Sequence, residues 1–141
     1  TAYEILTCDW SSDVCSSDLV IDLHVLIENV FTGQNAQQSL KPLLDSFDQN
    51  FKMVTVQGQC IGFAEVNSLF SQNIGKKPSL KIDIIKSVAL YEFENYCWVQ
   101  YQEHQQTDET ETVRTSTACI KVEDKKCYWV YLHETLVPSS S

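Results

Sequence analysis

Residues 79–136, SLKIDIIKSVALYEFENYCWVQYQEHQQTDETETVRTSTACIKVEDKKCYWVYLHETL, decide the fold. Apolar and polar residues alternate along this stretch with a period of 2, and turn-forming clusters interrupt it at regular intervals. The alternation predicts strands at about 79–92, 96–105, 111–122 and 127–136, with turns centred on Glu94-Asn95, on the polar run Gln106 to Glu109, and on Glu123 to Lys126. Short turns between long strands imply an antiparallel meander.

The turns also assign faces, because paired residues share a side of the sheet and a one-residue slip exchanges the sides. With Phe93 opposite Tyr96 and the later hairpins closed at their turns, one face gathers Ile82, Ile84, Lys86, Val88 and Leu90 with Val99, Tyr101, Glu103, Arg114, Ser116, Ala118, Ile120, Trp129, Tyr131, His133 and Thr135. The other gathers Trp98, Gln100, Gln102, Val113, Thr115, Thr117, Cys119, Lys121, Tyr128, Val130, Leu132 and Glu134. The first face is apolar at one end and polar at the other. In this register Lys86 lies opposite Glu103, Arg114 lies diagonal to it, and Ser116 lies opposite His133.

The residues before the meander have a period near 3.6. Leu23, Leu26, Ile27, Val30 and Phe31 fall on one side of a helix that Gly33 can end. A second helix is expected with Ser39 as N-cap, Pro42 in its first turn, and Leu40, Leu43, Leu44 and Phe47 as its stripe. A short strand at about 51–56 follows, then a third helix carrying Ile61, Val66, Leu69 and Phe70. Helices first and strands afterwards mean an α+β domain, with three N-terminal helices packed on a curved antiparallel sheet. Such packing closes the apolar end of the covered face as core and leaves its polar end as the mouth of a cavity. The uncovered face is too apolar to be fully solvated, so a homodimer contact through Trp98, Gln100, Thr117, Tyr128, Val130 and Leu132 is expected.

The 141 residues fit one domain, and 43% apolar content is that of a globular chain. A formal charge of -9 opposes nonspecific binding to nucleic acid or an anionic membrane. No apolar run reaches the roughly 18 residues of a helical membrane span. The first nineteen residues fit no structural period. DWSSDVCSSDL at 9–19 resembles the in-frame translation of a short-read sequencing-library adapter, and TAYEI at 1–5 resembles the upstream part of the same oligonucleotide. Residues 1–19 are therefore expected to be non-native and fused to a metagenomic reading frame whose own start is lost; the domain is placed at 20–138, with a disordered tail at 139–141. Without the segment, four cysteines and a charge of -5 remain. Cys60, Cys97, Cys119 and Cys127 lack zinc-site spacing and are expected to be reduced thiols of a cytoplasmic protein, with no metal. No phosphate-loop or dinucleotide motif occurs, so no cofactor is expected.

The element order, with LHVLIENVFTG at 23–33, VQYQEHQ at 99–105, VRTSTACI at 113–120 and WVYLHETLVP at 129–138, resembles the nuclear transport factor 2-like superfamily. Within it the chain is most similar to small bacterial proteins of the domain of unknown function 4440 type, relatives of SnoaL-like and ketosteroid-isomerase-like domains. The resemblance implies a sheet curled into a cone around a pocket, frequent dimerisation through the sheet, and activities that include isomerases, cyclases and dehydratases beside noncatalytic members. No position matches the acidic base of the ketosteroid-isomerase-like enzymes.

The pocket expected from these readings is lined by Lys86, Tyr101, Glu103, Arg114, Ser116, Trp129, Tyr131 and His133, and takes a small, partly apolar organic molecule. Glu103 and His133 are the candidates for moving a proton. Against Glu103 stand its expected cationic neighbours, which lower a carboxylate's pKa and favour an ion-pair network. Ser116, His133 and Glu103 share the residue types of a catalytic triad, but a serine in mid-strand has its backbone amides committed to the ladder and offers no oxyanion hole. Two readings follow: a cofactor-free isomerase, cyclase or dehydratase, or a noncatalytic association or ligand-sensing module.

Overall fold

The computed structural model describes residues 17–138. Its elements run α1 (Ser17–Thr32), α2 (Ala36–Asp45), β1 (Phe47–Val54), β2 (Cys60–Gly62), α3 (Phe63–Gln72), β3 (Lys81–Phe93), β4 (Tyr96–Gln106), β5 (Glu111–Glu123) and β6 (Lys126–Leu136). The strands form one six-stranded sheet in the order β2-β1-β6-β5-β4-β3. Within it, β3 to β6 are the antiparallel meander expected from the period of 2. The sheet is mixed, not purely antiparallel as expected, because β1 pairs parallel to β6. Most of the adapter-like segment and the tail at 139–141 lie outside the described residues. The last residues of that segment open α1, and Leu19 is buried in the core.

Helix α1 ends where Gly33, at φ +85°, donates its N–H to the Asn29 carbonyl. A Cβ on Gly33 would come within 3.2 Å of the Gly75 Cα, so glycine is required here by both the left-handed backbone and the close approach. The loop after α3 is tied to α1 at the same point, since Gly75 and Lys77 donate to the carbonyls of Val30 and Phe31. Helix α2 begins three residues before the expected cap. Asn35 takes the N-cap place in a left-handed conformation, and Ser39 lies buried inside the helix, accepting a 3.1 Å hydrogen bond from Asn29 Nδ2 of α1. A polar contact between helices therefore uses the hydroxyl that the sequence assigns to capping. Ile61 also changes element: it pairs with Met53 in the β1–β2 hairpin instead of entering α3. Glu65 closes the start of α3 by accepting the Gly62 N–H at 2.7 Å.

Three irregularities in the meander set its faces. Strand β3 carries one between Ile84 and Lys86 and another between Ala89 and Tyr91, so that Lys86 pairs with Gln102 instead of Glu103. Strand β6 inserts Val130: Ile120 pairs with Trp129, but Cys119 already pairs with Tyr131. Beyond an extra residue, every side chain of the strand points to the opposite side. Leu132 and Glu134 consequently turn inward, and Tyr131 and His133 turn outward. The β5–β6 turn, with Asp124 at φ 52° and Lys125 at φ 65°, has the two positive angles of a tight hairpin.

The helices cover one side of the sheet. The core between them includes Leu19, Val20, Leu23, Val30, Leu43, Phe47, Phe51, Val66, Phe70, Val99, Ile120 and Trp129. Glu28 of α1 also reaches the edge strand and accepts the Ile82 N–H at 2.7 Å. Cys60 is exposed and Cys119 buried, both reduced, whereas Cys127 is disulfide-bonded, so the expectation of four reduced thiols fails at that position. No helix among the described residues is long and apolar enough to cross a membrane.

Phe51 is fully buried and Val25 is half exposed. Phe51→Ala is expected to lower stability by about 3–5 kcal/mol, and Val25→Thr to change it by no more than about 0.5 kcal/mol, as read from the midpoint of urea denaturation.

Candidate functional site

The inward rows of the sheet run from apolar to polar. Cys97, Ile120 and Trp129 form one row, Val99, Ala118 and Leu132 the next, and Tyr101, Ser116 and Glu134 the third. Glu103 and Arg114 stand in the fourth, on β4 and β5. The third and fourth rows contain buried polar groups, which must find partners across the interior.

The missing partner comes from α1. His24 lies on the inner side of the helix with 4% of its surface exposed, and its Nε2 approaches Glu103 Oε1 at 3.1 Å. The ring packs edge-on against Tyr101 and Trp129, with centroids at 5.3 and 6.2 Å. His24 Nδ1 is 2.8 Å from the Val20 carbonyl oxygen. A carbonyl can only accept, so Nδ1 carries a hydrogen, and Nε2 carries a second one when it faces ionised Glu103. Glu103 Oε2 accepts from Gln105 Nε2 at 2.5 Å. Arg114 Nη2 in turn donates to Gln105 Oε1 at 3.4 Å, and Nη1 to Glu134 Oε1 at 3.1 Å. His24, Glu103, Gln105, Arg114 and Glu134 thus form one continuous chain from helix to strand β6.

This chain walls the polar end of a cavity of about 370 Å³. Leu23, Ile27 and Phe31 of α1, Phe51 and Met53 of β1, and Val66 and Phe70 of α3 supply its apolar walls. A second hollow of about 770 Å³ lies between α2 and the β5–β6 turn; its charged residues, Asp45, Glu123 and Lys126, are exposed, and none of the buried network reaches it.

Of the eight residues expected to line the pocket, Glu103 and Arg114 line the cavity. Tyr101, Ser116 and Trp129 are buried in the inward rows without reaching its wall. Lys86, Tyr131 and His133 are corrected: Lys86 and His133 are exposed, and all three lie on the outer face, placed there by the irregularities in β3 and β6. The triad fails with them, since Ser116 pairs with Glu134 and His133 pairs with Thr117. Leu132 leaves the expected dimer face for the core, and Val130 occupies the extra position of the β6 bulge. Trp98, Gln100, Thr117 and Tyr128 remain on the outer face. Sequence reasoning missed His24 and Glu134. His24 had a signal: Val20, His24, Ile27 and Phe31 follow one another at spacings of four, three and four, which places the imidazole at the flank of the apolar stripe.

Burial pushes the Glu103 carboxyl upward, but the charge and hydrogen bonding of His24, the amide of Gln105 and the charge of Arg114 outweigh it and hold Glu103 below the ordinary carboxylate range. For His24, burial lowers the pKa, and Glu103, the Val20 carbonyl and Glu134 together raise it above the usual value. Glu134 moves the other way from Glu103: burial raises it, Arg114 draws it back, and the charge of Glu103 adds to the rise, leaving the group easier to protonate than an ordinary glutamate. Burial and both carboxylates push the Tyr101 phenol well upward, so it stays an O–H. A carboxyl with a raised pKa beside one with a lowered pKa is an arrangement that can hold and release a proton. No cluster of three or more metal-ligating side chains exists among the described residues, and burial together with nearby Cys97 pushes the Cys119 thiol up to about 11.

His24→Leu strands the Glu103 carboxylate in the interior and is expected to cost about 3–5 kcal/mol, measured by urea denaturation at pH 7. His24→Leu/Glu103→Gln removes the stranded charge and should recover much of that loss. The pair also fixes a pH window. The stabilisation from Glu103 is present above its ordinary pKa of about 4.3 and is lost as pH falls through the lowered folded value. That from His24 is complete below about pH 6.5 and is lost as pH rises through the raised folded value. In wild type, ¹⁵N shifts of the His24 ring at pH 7 should show both nitrogens protonated.

Neither a protein-family profile nor a curated protein sequence matches the chain. Solved structures do. An NTF-2-like protein of unknown function from Pseudomonas aeruginosa superposes with a TM-score of 0.81 at 26% identity, over 85% of this chain and 96% of that one. The association domain of C. elegans CaMKII gives 0.64 at 12% identity, over 84% and 92%. A candidate dehydratase of the NTF2-like family from Streptomyces avermitilis gives 0.64 at 9% identity, over 86% and 99%. The helices on a curved mixed sheet, the inward polar rows and these superpositions together give the chain the nuclear transport factor 2-like fold.

Proposed function

We propose that the chain binds a small, partly apolar organic molecule in the cavity between its helices and sheet and moves a proton on it without a cofactor, as isomerases and dehydratases do. The observation that carries this reading is the cavity of about 370 Å³, a size suited to a small ligand, whose polar end holds two carboxyl groups with oppositely shifted pKa values. Glu134 is the better proton donor and acceptor of the two, because its pKa is moved toward neutrality while Glu103 is held ionised by its cations. The Streptomyces neighbour's description as a dehydratase is consistent with this chemistry. His133, the other candidate from the sequence, faces away and takes no part.

Met53→Trp fills the cavity from its β1 wall. Mass spectrometry of solvent extracts from purified protein is expected to show a small organic molecule in wild type that is absent from this variant. Identical extracts, with no thermal stabilisation of wild type by small aromatic and aliphatic probes, would overturn the reading.

Self-association is a second role, favoured by the outer face. Among the described residues no helix packs on that side, yet Val88, Tyr91, Phe93, Tyr96, Trp98, Tyr128 and Tyr131 all present to it. Tyr91 is 61% exposed and stacks on Phe93, which is 57% exposed. A continuous aromatic surface of this kind is rare on monomers. The chain pairs with a second copy across this face. Sedimentation equilibrium should give twice the chain mass for wild type and the single mass for Tyr91→Glu/Trp98→Glu; a monomeric wild type at micromolar concentration would refute it.

A further inference from the structure

The ligand class follows from how the polar end of the cavity is already paired, and this step rests on the binding reading above. His24 and Arg114 supply two cationic groups, and Glu103 and Glu134 two carboxyl groups. These charges are already paired with one another inside the protein, His24 with Glu103 and Arg114 with Glu134. Arg114 donates from Nη1 to Glu134 and from Nη2 to Gln105, and its buried Nε–H has no partner. A carboxylate brought to Arg114 would have to compete with Glu134, whose carboxyl already pairs with this guanidinium at 3.1 Å. Glu103 Oε2 accepts from Gln105, and Oε1, which has no hydrogen bond, faces the His24 ring at 3.1 Å, so an ammonium group here would be set against a cation already in place. His24 itself is anchored by the Val20 carbonyl. The remaining charged group at the cavity is Lys77, which is exposed at the rim with its ammonium 5.2 Å from the Phe31 ring.

We infer that the cavity takes an uncharged ligand, one whose buried end carries a hydroxyl, carbonyl or amide group and whose remainder is apolar. A net charge added at this end would be buried with no counter-charge left to pair it, which is among the most expensive events in a protein interior. A neutral acceptor, in contrast, satisfies the orphaned Arg114 Nε, while Phe31, Phe51 and Val66 receive the apolar part.

Two series of probes share one apolar body and differ in the charge of the head: indole-3-acetamide, indole-3-acetate and tryptamine, and 4-phenylbutanamide, 4-phenylbutanoate and 4-phenylbutylamine. Binding is read from amide shifts of cavity residues in ¹H–¹⁵N spectra at pH 7. In wild type the amide of a series is expected to bind at least about tenfold more tightly than its carboxylate or amine. Glu134→Gln leaves the site with a net positive charge and should narrow or reverse the gap between amide and carboxylate. Glu134→Ala should do the same and serves if the first variant fails to fold. A carboxylate or amine that binds wild type as tightly as the amide overturns the charge inference and leaves the binding reading standing. Failure of all six probes to shift cavity residues overturns both.

Discussion

The contact between His24 and Glu103 joins the first helix to the middle of the sheet, and much of the interior is arranged around it. A carboxylate with 1% of its surface exposed is unstable on its own, because the interior offers no water to solvate it. The imidazolium 3.1 Å away and the Gln105 amide make it tolerable, and they also hold α1 at a fixed height over β4. Tyr101 and Trp129 then pack edge-on against the imidazole, so the same ring that carries the charge also forms part of the apolar core. The cavity exists because this polar layer keeps the helices from collapsing fully onto the sheet at its far end.

A single residue in β6 governs which groups meet there. Without Val130 as an extra position, His133 and Tyr131 would face inward, and Leu132 and Glu134 outward. The strand would then present an imidazole and a phenol where Arg114 has its carboxylate. Strand alternation is legible from sequence because it is local; the position of an extra residue is not, since it depends on how two neighbouring strands twist past each other. The element order and the four long strands could therefore be read from residues 79–136, and so could the inward placement of Tyr101, Glu103, Arg114 and Ser116 on the two strands with regular pairing. The faces failed in β3 and β6, the strands that carry irregularities, and with them went Lys86, Tyr131 and His133.

The helical contributions were hidden for a different reason. The spacing of Val20, His24, Ile27 and Phe31 puts the imidazole beside the apolar stripe, but nothing local says what it would meet there. Its role is defined by Glu103, distant in sequence, and by the sheet that brings the two together. Ser39 shows the same limit in miniature. Its type and position fit a helix cap, but a tertiary hydrogen bond from Asn29 claims the hydroxyl, and Asn35 starts the helix instead. The parallel pairing of β1 with β6 is likewise a long-range event that no period in the sequence records.

The four charged groups at the cavity do not have equal freedom. His24 is held charged by Glu103, and Glu103 is held charged by His24, Gln105 and Arg114. Glu134 alone among the four is pushed toward its neutral form, because burial and the neighbouring carboxylate outweigh the attraction of Arg114. Any change in the proton count of the polar end is therefore concentrated at Glu134, and the rest of the network acts as a fixed electrostatic frame around it. A frame of this kind is preorganised: its dipoles and charges are oriented by folding and need no rearrangement when a proton moves. The same pairing that stabilises Glu103 lowers its affinity for a proton, while the carboxyl that the β6 bulge turns inward has its affinity raised.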